Sequence, residues 1–256
     1  MSEVIVIAEG EHSILGPSSA ERWLNCPGSV LLPGPSPQTE YAAEGSAAHW
    51  LSEQVRNENR PASNWKGAIL QVGEYQFKVG KNMIDSVTTF VESVGKLPGA
   101  PVIEGRVAYE ELVPGGFGTL DDARIEDGLC TITDFKHGKG VQVEAKDNSQ
   151  LKLYGIGVFF QYQWIFHFDK FLLRISQPRL KHFEEFEISL GHLLQWGYDT
   201  VRAGAKLCLT PGAPLKAGSW CKFCKAKLTC SVRAKYKAEH ERSPDSPEQA
   251  FVNLED

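Results

Sequence analysis

The sequence lacks the features that mark membrane, secreted and repetitive proteins. No apolar run in its 256 residues reaches the roughly 18 to 20 residues needed to cross a bilayer, so we expect no membrane partner. The first ten residues carry no basic lead before an apolar stretch, so we expect no secretory signal and a cytoplasmic location. No internal repeat or low-complexity tract is present, which excludes solenoid and fibrous architectures.

An excess of positive charge is also missing. The formal net charge of -5 argues against a protein that binds nucleic acid over its whole surface. The charges are unevenly distributed, because residues 1–60 contain eight Glu and three Arg, whereas residues 202–242 contain ten Lys or Arg and two Glu. The basic region is either a local phosphate-attracting surface or an ordinary solvated face.

Apolar residues make up 42% of the sequence, which is enough for a sizeable core. Apolar spacing predicts helices at residues 20–25, 41–57, 79–94, 148–161 and 189–209. Strand-like segments are found at 101–110, 118–126, 129–136, 162–167, 170–177 and 184–188, with a hairpin turn at 126–128. This order predicts an α/β fold with a mixed sheet. Residues 243–256 are rich in Pro, Ser and acidic residues, and we expect a mobile tail there.

Polar residues occur where two consecutive predicted strands end. Asp121 lies in the first of these strands, and Asp134 and Lys136 lie in the second, two residues apart and therefore on one face. The hairpin can bring Asp121 beside Asp134, and two such carboxylates repel unless a cation lies between them. Oxygen ligands of this kind suit Mg²⁺ or Mn²⁺. An exposed Asp–Lys salt bridge is the alternative.

The six cysteines are unevenly spaced. Cys221, Cys224 and Cys230 lie within ten residues, and with Cys26 beside Pro27 they form a set of four thiols. In a cytoplasmic chain this crowding indicates metal ligation rather than disulfides. The spacing alone leaves zinc and an iron–sulfur cluster as alternatives. Cys130 and Cys208 are predicted to be buried apolar residues.

The acidic and lysine residues resemble the catalytic signature of the PD-(D/E)XK nucleases. Gly118 and Asp121 are followed by Asp134 and Lys136 at the end of the next strand. Residues 44–49, with the sequence EGSAAH, resemble the helix that carries a metal-binding histidine in the RecB-like branch of that superfamily.

A further motif of the RecB-like branch is matched by Gln150 and Tyr154 on the following helix. The motifs occur in the family's order, and the resemblance covers residues 17–233. It implies a restriction-endonuclease-like core, in which a central mixed sheet is flanked by helices. Residues 1–242 would form one nuclease domain.

The resemblance also implies roles for individual residues. His49, Asp121, Asp134 and the backbone carbonyl of Phe135 would bind Mg²⁺ or Mn²⁺, and Lys136 would be the catalytic lysine. Gln150 and Tyr154 would orient the DNA strand or support the site. Glu104 is either a ligand of a second metal, a residue supporting the first, or a solvated carboxylate at a strand end. His49 has an alternative interpretation as an ordinary helix histidine.

The split of one distant and three grouped cysteines resembles the iron–sulfur staple of RecB-like nucleases. A four-iron, four-sulfur cluster on Cys26, Cys221, Cys224 and Cys230 would then join the N- and C-terminal segments. Nearby lysines surround Trp220 and Phe223, which either stack on DNA bases or shield the cluster.

The function implied by the resemblance is metal-dependent DNA hydrolysis, as an exonuclease in recombination or DNA processing of the phage type. Residues 18–29 and 42–45 resemble an N-terminal pattern of phage and prophage members. A phage-encoded protein would act in the host cytoplasm, with a helicase or a single-strand annealing protein as a possible partner. The rival hypothesis is a non-catalytic DNA-binding or recombination-accessory module that keeps the fold.

Overall fold

The computed structural model describes residues 4–8, 10–34 and 39–240. The predicted tail at 243–256 lies outside this part of the chain. In chain order the elements are β1 (Val4–Ile7), α1 (Ala20–Asn25), α2 (Glu40–Asn57), β2 (Ile69–Val72), β3 (Tyr75–Lys78), α3 (Lys81–Gly95), β4 (Ala100–Ala108), β5 (Phe117–Ile125), β6 (Gly128–Phe135), α4 (Ser149–Tyr162), β7 (Phe168–Gln177), β8 (His182–Ser189), α5 (Leu190–Trp196), α6 (Arg202–Cys208) and α7 (Ser231–His240).

The architecture is α/β, as predicted, with a mixed sheet flanked by helices. Five strands form the main sheet in the order β4-β5-β6-β7-β8. Neighbouring strands are antiparallel except β6 and β7, which are parallel and are connected through α4. A second sheet has the order β1-β2-β3. The predicted hairpin between β5 and β6 is confirmed, with Asp122 opposite Thr133.

Helix α2 begins at a side-chain cap and packs along one stripe. Thr39 Oγ1 accepts a hydrogen bond from the N–H of Ala42, which satisfies one of the first free donors of the helix. The predicted apolar stripe of Ala43, Ala47, Leu51 and Val55 is buried. Because side chains four residues apart share a helix face, this buried stripe prevents rotation of the helix. The direction of the His49 side chain is fixed with it.

Helix α4 passes through the core. Asn148 Oδ1 accepts a hydrogen bond from the N–H of Leu151 and caps the helix. Every residue from 151 to 158 is buried, so the helix is apolar around most of its circumference. The helix therefore has little freedom to rotate, and the polar side chains of its first turns are held at the end of β6.

Two apolar clusters flank the main sheet. The larger contains residues of β5, β6, β7 and α4, among them Leu120, Ile132 and Leu153. The smaller joins α2 and α3 to the three-stranded sheet and includes Leu51, Phe90 and also Phe135 from the end of β6. The C-terminal end of β6 therefore lies where the two clusters meet.

The predicted strand at 162–167 is wrong. Helix α4 extends to Tyr162, and the N–H groups of Ile165 and Phe166 both donate to the carbonyl of Tyr162 in a turn. Trp164 is 87% exposed, so the aromatic composition of this segment does not reflect burial in a sheet. The predicted helix at 189–209 consists of α5 and α6, which are joined by a π-helical turn, Gly197–Val201. Within the described residues, no helix is both long enough and apolar enough to cross a membrane.

Candidate metal centre

Three possible metal ligands meet between α2 and the main sheet. His49 comes from α2, Glu104 from β4 and Asp121 from β5. One ligand atom of each lies within 4.8 Å of the ligand atoms of the other two. Nδ1 of His49 is 3.1 Å from Oδ1 of Asp121. Imidazole nitrogen and carboxylate oxygen are ligands of Mg²⁺, Mn²⁺ and Zn²⁺ in proteins, so this group could hold a divalent cation.

Glu104 has an unusual backbone conformation for a strand residue. The flanking pairs, Ile103 with Asp122 and Gly105 with Leu120, place Glu104 directly opposite Asp121. Its φ of 45° lies in the left-handed region, which a residue with a Cβ adopts at a cost of about 1 to 3 kcal/mol. The distortion occurs at the residue that β4 contributes to the candidate ligands, and strain of this kind is common at functional sites.

The surroundings of Glu104 raise the pKa of its carboxyl group. Burial is the main cause that raises its pKa to about 8, and the carboxylate of Asp121 raises it further. His49 and Arg56 act in the opposite direction. A cation bound between the two carboxylates would remove this repulsion.

Asp121 is held in its charged form. Burial favours the neutral acid, but the charge and hydrogen bond of His49 outweigh it and lower the pKa of Asp121. The N–H of Phe135 donates to Oδ2 of Asp121 at 2.6 Å. The carboxylate therefore has one oxygen fixed by the end of β6 and the other directed at His49.

His49 is a protonated imidazole in this arrangement. Burial lowers its pKa, but the Asp121 carboxylate more than compensates and raises the value to about 9. The proton and a metal ion would compete for the same nitrogen, because only the neutral imidazole is a ligand. Metal binding here would release a proton.

Asp134 and Lys136 lie together at the end of β6, as the strand alternation predicted. Nζ of Lys136 is 2.9 Å from Oδ2 of Asp134, so the two charges form an ion pair. Asp134 is 2% exposed, and its Oδ2 receives no hydrogen bond of good geometry despite the nearby ammonium. Burial raises the pKa of Asp134, and the charge of Asp121 adds to this effect. The pair is therefore partly buried, unlike the exposed salt bridge considered as the alternative.

Gln150 and Tyr154 complete this arrangement from α4. Nε2 of Gln150 donates to Oδ1 of Asp134 at 2.9 Å, and Oε1 accepts from Nζ of Lys136 at 3.0 Å. Gln150 Nε2 also lies 3.1 Å from the hydroxyl of Tyr154, one helical turn away. The amide therefore orients the carboxylate and the ammonium relative to each other.

Phe135, predicted to provide a backbone ligand, contacts two of the three candidate ligands, His49 and Asp121. Its ring stacks on Phe90 with a centroid distance of 4.7 Å and is 5.2 Å from the ring of His49. This packing fixes the end of β6 against α2 and α3. Its backbone N–H donates a hydrogen bond to the carboxylate of Asp121.

Sequence reasoning missed Arg56, which contacts Glu104 and two neighbouring aspartates. Asp122 is fully buried and accepts two hydrogen bonds from Arg124, at 3.0 Å each. Arg56 contacts Glu104, Asp122 and the backbone of Asp121. Arg56 follows His49 by seven residues, which is two helical turns, and this spacing was the available signal.

A second candidate site lies between the N- and C-terminal segments of the described chain. Four thiols, which we call the cysteine group, line one pocket that opens to solvent: Cys26, Cys221, Cys224 and Cys230. The segments are connected by the N–H of Gly28, which donates to the carbonyl of Pro214 at 3.0 Å. Among the described residues, no three sulfur atoms of this group all lie within 4.8 Å of one another. The pocket can hold a metal or cluster that is bound by several thiolates.

The aromatic residues beside the cysteine group have different environments. Trp220 lines the pocket, and its indole N–H donates to the carbonyl of Lys216. Phe223 is 79% exposed, with the ammonium of Lys222 5.8 Å from the ring centroid. Cys130 and Cys208 are buried in the larger apolar cluster, as predicted. Burial raises the pKa of Cys208 to about 11 and raises that of Cys130 as well.

Comparison with protein families gives one match that spans both candidate sites. The family model is described as Protein of unknown function (DUF2800) and matches residues 12–253. This range includes His49, Glu104 and Asp121 as well as all four thiols of the cysteine group. The chain therefore belongs to the DUF2800 family.

Proposed function

We propose that this chain is a divalent-metal-dependent deoxyribonuclease with a restriction-endonuclease-like core of the PD-(D/E)XK type, in the RecB-like branch. The observation that carries the proposal is the meeting of His49, Glu104 and Asp121 beside the Asp134–Lys136 pair. Carboxylates that are buried and crowded in this way need a cation to relieve their repulsion. The partly buried Lys136 next to them supplies a second positive charge for a phosphate group.

The donor set fits a hard divalent cation. Carboxylates and one imidazole suit Mg²⁺ or Mn²⁺, and soft thiolate ligands are not near this group. His49, Glu104, Asp121 and the neighbouring Asp134 would hold the ion. When bound, the ion supplies Lewis acidity toward the phosphodiester and toward water.

The residues of the chain would then act on the phosphodiester. The Lys136 ammonium, fixed by Gln150 and Asp134, would contact a phosphate oxygen and stabilise the negative charge that builds up as water attacks phosphorus. One bond forms between phosphorus and the water oxygen, and one ester bond breaks. The products are a phosphate monoester and a free hydroxyl group. Tyr154 would support Gln150 from the next turn of α4.

The direct test is cleavage of end-labelled single- and double-stranded DNA, with labelled RNA as a further substrate, in Mg²⁺, Mn²⁺ or EDTA. Wild-type protein should cleave DNA in the presence of either ion and not in EDTA. Asp134→Asn should lose the activity. Asp169→Asn is the matched control, because this aspartate is 70% exposed and lies at the opposite end of β7 from the site.

The label positions distinguish exonuclease action from internal cleavage. We propose an exonuclease in phage-type recombination or DNA processing, on the strength of the sequence resemblance. Equal activity in Asp134→Asn and wild type would reveal a contaminant and contradict the proposal. Metal-independent DNA binding without cleavage would instead support an accessory module.

We further propose that the cysteine group holds a four-iron, four-sulfur cluster that joins the two terminal segments. The preference for a cluster over zinc rests on the resemblance, in which one distant and three grouped cysteines hold an iron–sulfur cluster. The four thiols line one pocket, as such a cluster requires. The N–H of Lys216 donates to the sulfur of Cys26 at 3.3 Å, and hydrogen bonds to sulfur are among the contacts that tune iron–sulfur clusters.

Iron, acid-labile sulfide and zinc should be measured on anaerobically purified protein, together with visible absorbance. We expect four iron and four sulfide per chain in wild type and a loss of both in Cys224→Ser. Cys208→Ser is the control, because Cys208 is buried and does not belong to the cysteine group. Its thiol donates to the carbonyl of Trp23. One zinc per chain and no colour would refute the cluster without affecting the nuclease proposal.

A further inference from the structure

Arg56 connects two of the three candidate metal ligands. Its Nη2 donates to Oε1 of Glu104 at 2.8 Å, and its Nη1 donates to the backbone carbonyl of Asp121 at 2.8 Å. Its Nε donates to the carbonyl of Ser52 at 3.3 Å, which ties the guanidinium to its own helix. Only 4% of the side chain is exposed, so water does not compete strongly for these hydrogen bonds.

The guanidinium group is a rigid connection between three elements. It is planar, and its donors have a fixed geometry. Nη1 and Nη2 reach β5 and β4, while Nε is bound to α2, the helix that also carries His49. The guanidinium carbon lies 5.3 Å from the centroid of the Phe90 ring, which limits movement of the plane. The distance between Glu104 and Asp121 is therefore set partly by Arg56.

Charge compensation alone does not explain these contacts. A neighbouring arginine, Arg124, also neutralises a buried aspartate, Asp122, with two hydrogen bonds of 3.0 Å. None of its described hydrogen bonds reaches Glu104 or Asp121. The two arginines are similar in burial, with 4% and 13% of the side chain exposed. They differ in whether they contact candidate metal ligands.

We propose that Arg56 is a positioning residue that sets the spacing of Glu104 and Asp121 and thereby favours Mg²⁺ over Ca²⁺. The inference rests on the proposed metal-dependent function. Mg²⁺ requires oxygen ligands at about 2.0 to 2.1 Å in nearly ideal octahedral geometry, whereas Ca²⁺ accepts six to eight ligands at about 2.3 to 2.6 Å. A site with looser carboxylates should therefore lose Mg²⁺ affinity more than Ca²⁺ affinity.

The test compares Arg56→Lys with Arg124→Lys. Both substitutions keep the charge and remove the fork of donors, so each should lower stability to a similar extent. The Kd values for Mg²⁺ and for Ca²⁺ are measured on each protein without DNA, by calorimetry or by thermal shift titration. Residues that orient metal ligands typically contribute 10- to 100-fold to metal affinity. We expect the ratio of the Mg²⁺ Kd to the Ca²⁺ Kd to rise about tenfold in Arg56→Lys and to stay at the wild-type value in Arg124→Lys.

Arg56→Gln provides a second variant in case the buried lysine prevents folding. It leaves the carboxylates less neutralised and should alter binding of every divalent cation, but this general effect cancels in the ratio. The ratio should still rise. An unchanged ratio in the folded Arg56 variants, or an equal change in Arg124→Lys, would overturn the inference.

Failure of the inference can be distinguished from failure of the proposed function. Wild type that binds Mg²⁺ but cleaves no DNA would contradict the nuclease, while the affinity ratios would still decide the role of Arg56. Wild type that cleaves DNA with an unchanged ratio in the Arg56 variants would contradict the inference alone. Wild type that binds neither cation would overturn both.

Discussion

Two buried aspartates on neighbouring strands provide the sharpest test of the candidate metal centre. Asp122 is fully buried and bound by Arg124 and Arg56. Asp134, 2% exposed, accepts one hydrogen bond from Gln150 and pairs with Lys136. Replacement of either residue by Asn removes one negative charge at nearly constant volume. The two variants therefore differ in the interactions that are lost, and not in burial.

Without metal, the two variants should differ in stability. Asp122→Asn breaks a buried ion pair and leaves Arg124 without its counter-ion, which should cost about 2 to 4 kcal/mol. For a chain of this size 1 kcal/mol lowers Tm by roughly 2 to 4 °C, so the expected loss is about 4 to 16 °C. Burial and the charge of Asp121 raise the pKa of both aspartates, so this cost is common to the two variants. They differ in the cation left behind, because the Lys136 side chain is 28% exposed and can be solvated, whereas that of Arg124 is 13% exposed. For Asp134→Asn we therefore expect a change within about 1 kcal/mol.

Addition of metal should reverse the comparison. At 10 mM Mg²⁺ and an assumed Kd of about 0.1 to 1 mM, binding stabilises the folded state by about 1.4 to 2.7 kcal/mol. This corresponds to a rise in Tm of about 3 to 11 °C. Wild type and Asp122→Asn should both show the rise. Asp134→Asn should lose most of it, because a predicted ligand is gone.

The assay is thermal unfolding of anaerobically purified protein in EDTA, Mg²⁺ and Mn²⁺, followed by circular dichroism. The metal-induced change in Tm is compared within each variant, so a difference in starting stability does not affect the conclusion. A full rise in Asp134→Asn, together with no rise in Asp122→Asn, would mean that the cation binds elsewhere. The assignment of the metal ligands would then be wrong.

Three further results follow from the same geometry. Lys136→Met should lower the DNA cleavage rate about 10²- to 10³-fold, since the ammonium is proposed to act on the phosphate. The Mg²⁺-induced rise in Tm should remain, because the ammonium does not bind the metal. Loss of both the cleavage activity and the rise in Tm would contradict this role. After removal of any bound metal, alkylation at pH 8 should label Cys221 and Cys230, which are partly exposed, and spare Cys130 and Cys208, which are completely buried; mass spectrometry of the peptides decides. In EDTA, the pair of His49 with Asp121 should contribute about 1 to 2 kcal/mol, after allowance for solvent screening of the half-buried imidazole. Because the pKa of His49 in the folded protein is raised to about 9, this contribution is present below the unfolded value of about 6.5 and is lost as pH rises through 9. His49→Asn should flatten that decline in the free energy of unfolding, and an unchanged pH profile would show that the imidazole is not paired.

The parts of the site that depend on local periodicity were predictable. Alternation along β6 placed Asp134 and Lys136 together, and a helical turn separates Gln150 from Tyr154 on α4. The hairpin between β5 and β6 is a short-range contact with a recognisable turn, so its register followed from the sequence.

The parts that depend on long-range contacts were not predictable. The pairing of β1 with β2 joins Val4 to Ile69 through two strands of four residues, too short for a periodic signal. Glu104 has a positive φ, and its carboxylate accepts a hydrogen bond from an arginine 48 residues away. The segment at 162–167 has the composition of a strand, but Trp164 and Ile165 are exposed in a turn. In each case tertiary packing overrides local propensity.

The meeting of Cys26 with Cys230 has a consequence for biosynthesis. These residues are 204 positions apart, and a ribosome that adds about 5 to 20 residues per second needs roughly 10 to 40 s to synthesise the chain between them. Trp23 and Cys208, which meet in the larger apolar cluster, are separated by nearly the same interval. The first thiol is therefore synthesised long before its partners. The pocket is assembled only after synthesis of the main sheet, so any metal or cluster that all four thiols bind would have to enter after Cys230 is synthesised.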